Sequence, residues 1–284
     1  MKKSIVLVML VVALVAVSVL GFAACNKKSE AVVKVVDIKI TDEEYAFCVN
    51  KSDATLLASV NAYIAKIKED GTFNKILNNY FGDGTPVAVE SATEGTANAL
   101  IVVTNAAFEP FEYLDGNKFY GVDMEIAKGL AAYLNKPLVI KNVPFNSIFN
   151  EIDTGAAHVG MAGITVNEDR KALVQFTSTY YNASQVVVTK ASDTTFANCK
   201  TAEDVENILK GFTSTTKIGV QTGTTGQFYV EGDVDWGFDG LATTCKGYDS
   251  AALAIQDMIN GNIDYVIVDE APAKKITEKM NKLA

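Results

Sequence analysis

Four places along the chain set polar side chains at the ends of apolar, strand-like runs. ALIVVT is followed by Asn105 and Phe108. HVGMAGI carries Ala162 and Gly163 and leads to Thr165 and Arg170. KIGVQ ends in Gln221 and opens onto Gly223, Thr224 and Thr225, and DYVIV ends in Asp269. A guanidinium grips a carboxylate through paired N–H bonds. Backbone N–H groups at a helix start, here Gly223-Thr224-Thr225, make an anion seat. An aspartate suits an ammonium. A free α-amino acid presents both charges on one carbon, so the set proposes amino-acid binding. Each member also has a plainer use. The Gly-Thr-Thr turn can be a helix cap, and Arg170 a surface charge. Asp269 can cap a helix whose first turn holds Pro272. Phe108 and Phe145 can be core aromatics.

Alternating strand and helix patterns must position these groups. Residues 33–40 and 45–49 read as strands. A helix over 54–68 carries Leu57, Val60, Ile64 and Ile67 on one face, with Ser52 or Asp53 to cap it and Gly71 to end it. A short helix with Phe73, Ile76, Leu77 and Tyr80 follows. Residues 82–97, GDGTPVAVESATEGTA, show no apolar period and read as a linker. Beyond it, strands at 99–104, 137–143, 158–164, 184–190, 217–223 and 264–270 alternate with helices, including one capped by Thr201. This is an α/β pattern with mainly parallel sheets, whose ligands sit where strand ends meet helix starts.

The totals fit an exported globular protein. Apolar residues make up 49% of the 284, and the formal charge is −9, which disfavours a nucleic-acid partner. The start, MKKSIVLVMLVVALVAVSVLGFAAC, is a secretory leader ending in a lipobox-like Ala-Ala-Cys, with Phe22 where an aliphatic is usual. Cys25 is expected to carry lipid and tether the protein outside the cytoplasmic membrane. The run from Ile5 to Ala24 is also about long enough for a retained span. Cys48 reads as a buried thiol. Export permits a Cys199–Cys245 bridge, which spacing alone does not establish. With a single His, His158, and no CxxC, no metal site is expected, and no cofactor either.

The runs VTNAAFEPFEYLDGNKFYGVDMEIAKGLAAYLN, MAGITVNEDRKALVQFTSTYY, KIGVQTGTTGQFYVEG and IDYVIVDEAPA, in this order, resemble the polar amino-acid binding proteins of ABC importers. The resemblance covers nearly the whole mature chain. It implies a two-lobed type II periplasmic-binding-protein fold with two hinge strands, near 184–189 and 38–45. One segment is out of place. KITDEEYAFCVNKSDATLLASVNAYIAKIKEDGTFNKILNNYFG resembles the family's C-terminal end, yet it lies near the front. The chain therefore reads as circularly permuted, rather than as a fused fragment of a second copy. Lobe 1 would comprise 42–81 plus 98–185, lobe 2 would comprise 30–39 plus 187–284, and residues 82–97 would join the usual termini.

The resemblance also implies roles. Arg170 would grip the α-carboxylate, flanked by Thr165, Ala162 and Gly163, with Thr224 and Thr225 contributing from lobe 2. Asp269 would receive the α-ammonium. Phe108 and Phe145 would sandwich the ligand side chain, and Asn105 and Gln221 would read its end. Relatives that bind cationic amino acids generally carry Asp at the position of Asn105, and no extra Arg or Lys falls on a matched pocket position. A neutral side chain is thus favoured. His158 is expected to be structural. The implied protein is a monomeric binding lipoprotein that closes on its cargo and docks on a membrane permease. An enzyme on the same fold, dehydratase-like, is the rival, with Glu109 and Glu270 as spare acids; an extracellular sensor is another.

Overall fold

The computed structural model describes residues 31–284. The leader and the lipid expected on Cys25 lie outside them. In chain order, β1 (Val33–Val36), β2 (Glu43–Tyr45) and β3 (Cys48–Asn50) precede α1 (Ala54–Glu69) and α2 (Thr72–Phe81). Next come β4 (Leu100–Thr104), β5 (Ala107–Phe108), β6 (Glu112–Asp115), β7 (Lys118–Tyr120), α3 (Val122–Tyr133) and β8 (Leu138–Asn142). A 3-10 turn at Phe145–Ser147 enters α4 (Ile148–Asp153), followed by β9 (Val159–Gly160), α5 (Glu168–Leu173), β10 (Val174–Phe176) and β11 (Tyr181–Ala183). The chain continues through β12 (Gln185–Lys190), α6 (Ala202–Lys210), β13 (Lys217–Gln221), α7 (Thr225–Glu231), β14 (Thr244–Tyr248), α8 (Ala251–Ile259), β15 (Tyr265–Asp269) and α9 (Glu270–Leu283).

Two five-stranded sheets organise the molecule, in the orders β10-β3-β9-β4-β8 and β1-β12-β15-β13-β14. Both follow one rule. Two antiparallel pairings are succeeded by two parallel ones. We call the bodies around them lobe 1 and lobe 2. All five residues of β15 are buried, as expected of a strand covered on both faces by helices. Between the lobes, β2 pairs with β11, and Tyr45 also bridges to Thr165. The chain crosses at residues 37–42 and again at Ser184. There Thr41 Oγ1 accepts the Gln185 N–H at 2.7 Å, and Ile40 N donates to Gln185 O at 3.0 Å.

Local rules explain the helix ends. Asp53 caps α1 by accepting Leu56 N–H, and Thr201 caps α6 in a reciprocal box with Asp204. Val60, Ile64 and Ile67 of the expected face are buried, joined by Tyr63. Gly71, expected to end α1, does so: it follows the C-cap Asp70 in the left-handed conformation, φ +79°, and also opens α2.

Three expectations change. The strand over 33–40 stops at Val36, because the following residues turn to cross between lobes. Residues 82–97 are no loose tether. Val89 is fully buried and exchanges both backbone hydrogen bonds with Phe119, while Ser91 Oγ accepts Ile140 N–H. Cys199 and Cys245 are both free thiols, so the bridge that export would permit is not made. Among the described residues, no helix is long and apolar enough to cross a membrane.

Candidate functional site

Arg170 lies in α5, where the Asn167 side chain caps the helix by accepting Arg170 N–H at 2.8 Å. The residue is 5% exposed. Nη1 donates to Thr165 O at 2.6 Å, and Nη2 reaches across to Gly223 O of lobe 2 at 3.0 Å. Phe145 and Phe149 of lobe 1 and Trp236 of lobe 2 surround the cation, with Cζ 5.3, 5.3 and 5.8 Å from their ring centres. Burial lowers its pKa to about 10, against the pull of Glu43 and Asp269. The group therefore stays charged at neutral pH, with donors left for a carboxylate.

Asp269 ends β15 and stands at the start of α9, yet its carboxylate does not cap that helix. It accepts the Tyr45 O–H from β2 instead. Burial, then the negative charge of Glu43, raises its pKa to about 7. Glu43 is itself buried and takes three donors: Thr165 O–H at 2.7 Å, Thr41 O–H at 2.6 Å and Gln185 Nε2–H at 3.0 Å. A hydroxyl has one proton, and Thr165 spends its own on Glu43. Toward other groups Thr165 offers lone pairs, and it accepts Thr225 O–H at 3.3 Å. So held, Thr165 suits an ammonium better than a carboxylate.

The remaining residues complete the cleft. Gly163 has φ +52°, and a Cβ there would stand 2.9 Å from Phe108, so the turn requires glycine. Ala162 is buried beside it. Asn105 Nδ2 donates to Val143 O at 2.8 Å, and its Oδ1 accepts Gln221 Nε2–H at 2.9 Å, a direct contact between lobes. Thr224 Oγ1 turns inward to Gln221 O at 2.8 Å. The anion seat expected at this turn is narrower than the sequence suggests, because Gly223 N–H is taken by Gln227 Oε1 at 2.7 Å.

Thus Asn105, Thr165, Arg170, Gln221, Gly223, Thr225 and Asp269 converge. Phe145 packs on Arg170, and Phe108 packs on the Gly163 turn. Of the spare acids, Glu109 pairs with Lys279, and Glu270 with Lys39 and Lys274. His158 stays in the fold: Nδ1 accepts Ile101 N–H at 2.9 Å, and burial lowers its pKa. Glu43, Tyr45 and Trp236 were missed from the sequence. The local sequence did not mark the first two, whose burial on either side of exposed Glu44 is set by the fold.

Residues 100–279 match the family described as bacterial extracellular solute-binding proteins, family 3. A probable histidine-binding protein of Neisseria gonorrhoeae is 28% identical over 191 residues, 67% of this chain and 65% of that protein. The arginine-binding extracellular protein ArtP of Bacillus subtilis is 32% identical over 100 residues, 35% of this chain and 39% of ArtP. The chain thus spans less than two thirds of either relative. Among solved structures, an ancestral arginine-binding protein bound to arginine is 31% identical with TM-score 0.54, covering 64% of this chain and 74% of that one. An ancestral amino acid-binding protein described as a precursor of cyclohexadienyl dehydratase is 26% identical with TM-score 0.53, covering 64% and 74%. With its paired sheets, its two crossings and this match, the chain has the type II periplasmic-binding fold and belongs to the family 3 extracellular solute-binding proteins.

Proposed function

We propose that this protein captures a free α-amino acid with a neutral side chain between its lobes and hands it to the membrane permease of an ABC importer. One observation carries the reading. Arg170 on lobe 1 and Asp269 on lobe 2 are both buried and close enough to act on each other's charge. They match the two charges of an amino acid. Carboxylate on Arg170 and ammonium on Asp269, with Thr165 as a further acceptor, would join the lobes, and such a ligand stabilises the closed form by touching both. The neutral preference rests on Asn105 and Gln221, which meet at 2.9 Å without a charge to offer a side chain. Lipid on Cys25 would keep the protein at the outer face of the membrane, acting as a monomer.

The chain order supports circular permutation. Asn281 at the end of α9 accepts N–H from Val32 and Val33 at 2.8 and 3.1 Å and donates to Val33 O at 2.9 Å. The last helix and first strand are therefore stitched together where an unpermuted chain would run continuously. The family match also begins only at residue 100, after the segment read as moved to the front.

Arg170→Ala tests the site. Calorimetry should show amino-acid binding weakened at least a hundredfold, and affinity retained within threefold removes Arg170 as the carboxylate anchor. The ligand should be recovered unchanged. A converted product would favour an enzyme on this fold.

A further inference from the structure

Behind the cleft, lobe 1 buries two carboxylates that the ligand contacts do not use. Glu112 on β6 and Asp123 in the first turn of α3 are both fully shielded from solvent. The chain brings them together, since a Cβ on Gly121, two residues before Asp123, would fall 2.8 Å from Glu112 N, and the charge of Asp123 acts on Glu112. The turn between them depends on Gly121, whose φ is +124°; a Cβ there would fall 2.0 Å from Phe111 O. The helix start is thereby pressed against the end of the 105–111 segment, and Asp123 N–H bonds Phe111 O at 2.9 Å.

The surroundings of the two acids differ. Asp123 Oδ2 accepts the Gly163 N–H at 2.9 Å, and Oδ1 accepts the Tyr180 O–H at 2.7 Å. It also sits at a helix N-terminus, which favours negative charge. Neither Glu112 oxygen is met by an N–H or hydroxyl donor. The charges acting on Glu112 are those of carboxylates, Asp123 and Asp269. Those acting on Tyr180 come from Asp123, Glu112 and Tyr181. Two adjacent buried acids cannot both ionise.

We propose that Glu112 is a positioning residue that keeps its proton and donates it to the Asp123 anion, which in turn fixes Gly163 of the binding turn and Tyr180 at the root of hinge strand β11. The unit links three parts that must agree when the lobes close: the start of α3, the turn leading to Thr165, and the chain entering the hinge. Burial and the facing Asp123 charge push the Glu112 carboxyl well above the usual carboxylate range, whereas burial raises Asp123 only to about 7 against the pull of the Gly163 and Tyr180 donors, which supports this protonation order.

The mature protein, labelled with 13C at glutamate side-chain carboxyls, gives a direct test. At pH 7, one glutamate carboxyl should show the chemical shift of a neutral acid, and Glu112→Gln should delete that signal. The Gly163 amide proton, bonded to an anion, should resonate downfield, stay there in Glu112→Gln and move upfield in Asp123→Asn. Glu112→Gln should also flatten the decline of melting temperature as pH rises above the ordinary glutamate pKa, since its amide cannot lose the proton. Should every glutamate be ionised at pH 7, the proposal fails. It fails equally if the Gly163 signal collapses in Glu112→Gln, or if the decline of melting temperature with rising pH is unchanged there. The wild-type spectrum alone decides the protonation state, even if a variant folds poorly.

Discussion

Asp269 makes amino-acid binding depend on pH in a direction that differs from its effect on stability. Burial and Glu43 hold its pKa at about 7, against a usual value of 3.8. An incoming ammonium is stabilised by the anion, so binding must release the proton wherever Asp269 still carries it. The ionised fraction is about one half at pH 7 and about one hundredth at pH 5, so affinity should fall about fiftyfold over that interval and level off above about pH 8. Without added amino acid the sign reverses. The folded protein binds this proton more tightly than the unfolded chain, so this group's contribution to stability declines as pH rises from about 4 to about 7, by at most ~4 kcal/mol. Calorimetry in two buffers of different ionisation enthalpy reads the proton count. About half a proton should be released at pH 7 and nearly one at pH 6. An affinity that is flat from pH 5 to 8, with no proton released, would refute the placement of the ammonium on Asp269.

Other perturbations follow from the same contacts. Glu43→Ala leaves the Thr165, Thr41 and Gln185 donors without their acceptor and should weaken binding by about 1–3 kcal/mol, whereas Glu43→Gln retains an acceptor and should shift the acid limb of the binding profile to lower pH. An unshifted limb in Glu43→Gln, measured by titration calorimetry, would show that Glu43 does not govern Asp269. Gly163→Ala meets Phe108 at 2.9 Å from a φ of +52° and should cost about 1–3 kcal/mol, read as a melting point lowered by about 3–10 °C. Trp236, the one tryptophan in the chain, packs over Arg170 from the opposite lobe, so its emission should change in intensity and wavelength when amino acid is added. A constant spectrum at saturating ligand would mean that this contact does not follow binding.

The sequence announced what depends on local pattern. Val60, Ile64 and Ile67 recur at helical spacing and face the core, and Asp53 and Thr201 stand where caps belong. The strand-end residues Thr165, Arg170, Thr225 and Asp269 were visible because strand ends collect polar groups after apolar runs. What escaped depends on distant partners. Glu43 meets Thr165 across 122 positions, and no spacing rule connects them. Trp236 lies in a Gly- and Asp-rich stretch that reads as surface loop, yet its ring closes over Arg170. The segment 82–97 has the composition of a linker, but one buried valine and a serine hydroxyl tie it to β7 and β8. Composition cannot register a single apolar anchor.

The measurement closest to the central claim is a thermal-shift screen of the mature domain, from about Lys27, against the twenty amino acids. A ligand at one hundred times its Kd adds ~2.7 kcal/mol, which raises the melting point of a domain this size by about 5–10 °C. One or a few neutral amino acids producing that shift, while arginine, lysine, aspartate and glutamate do not, is the predicted result. A flat response to all twenty, or a shift confined to charged amino acids, would contradict a cleft built for a neutral amino acid.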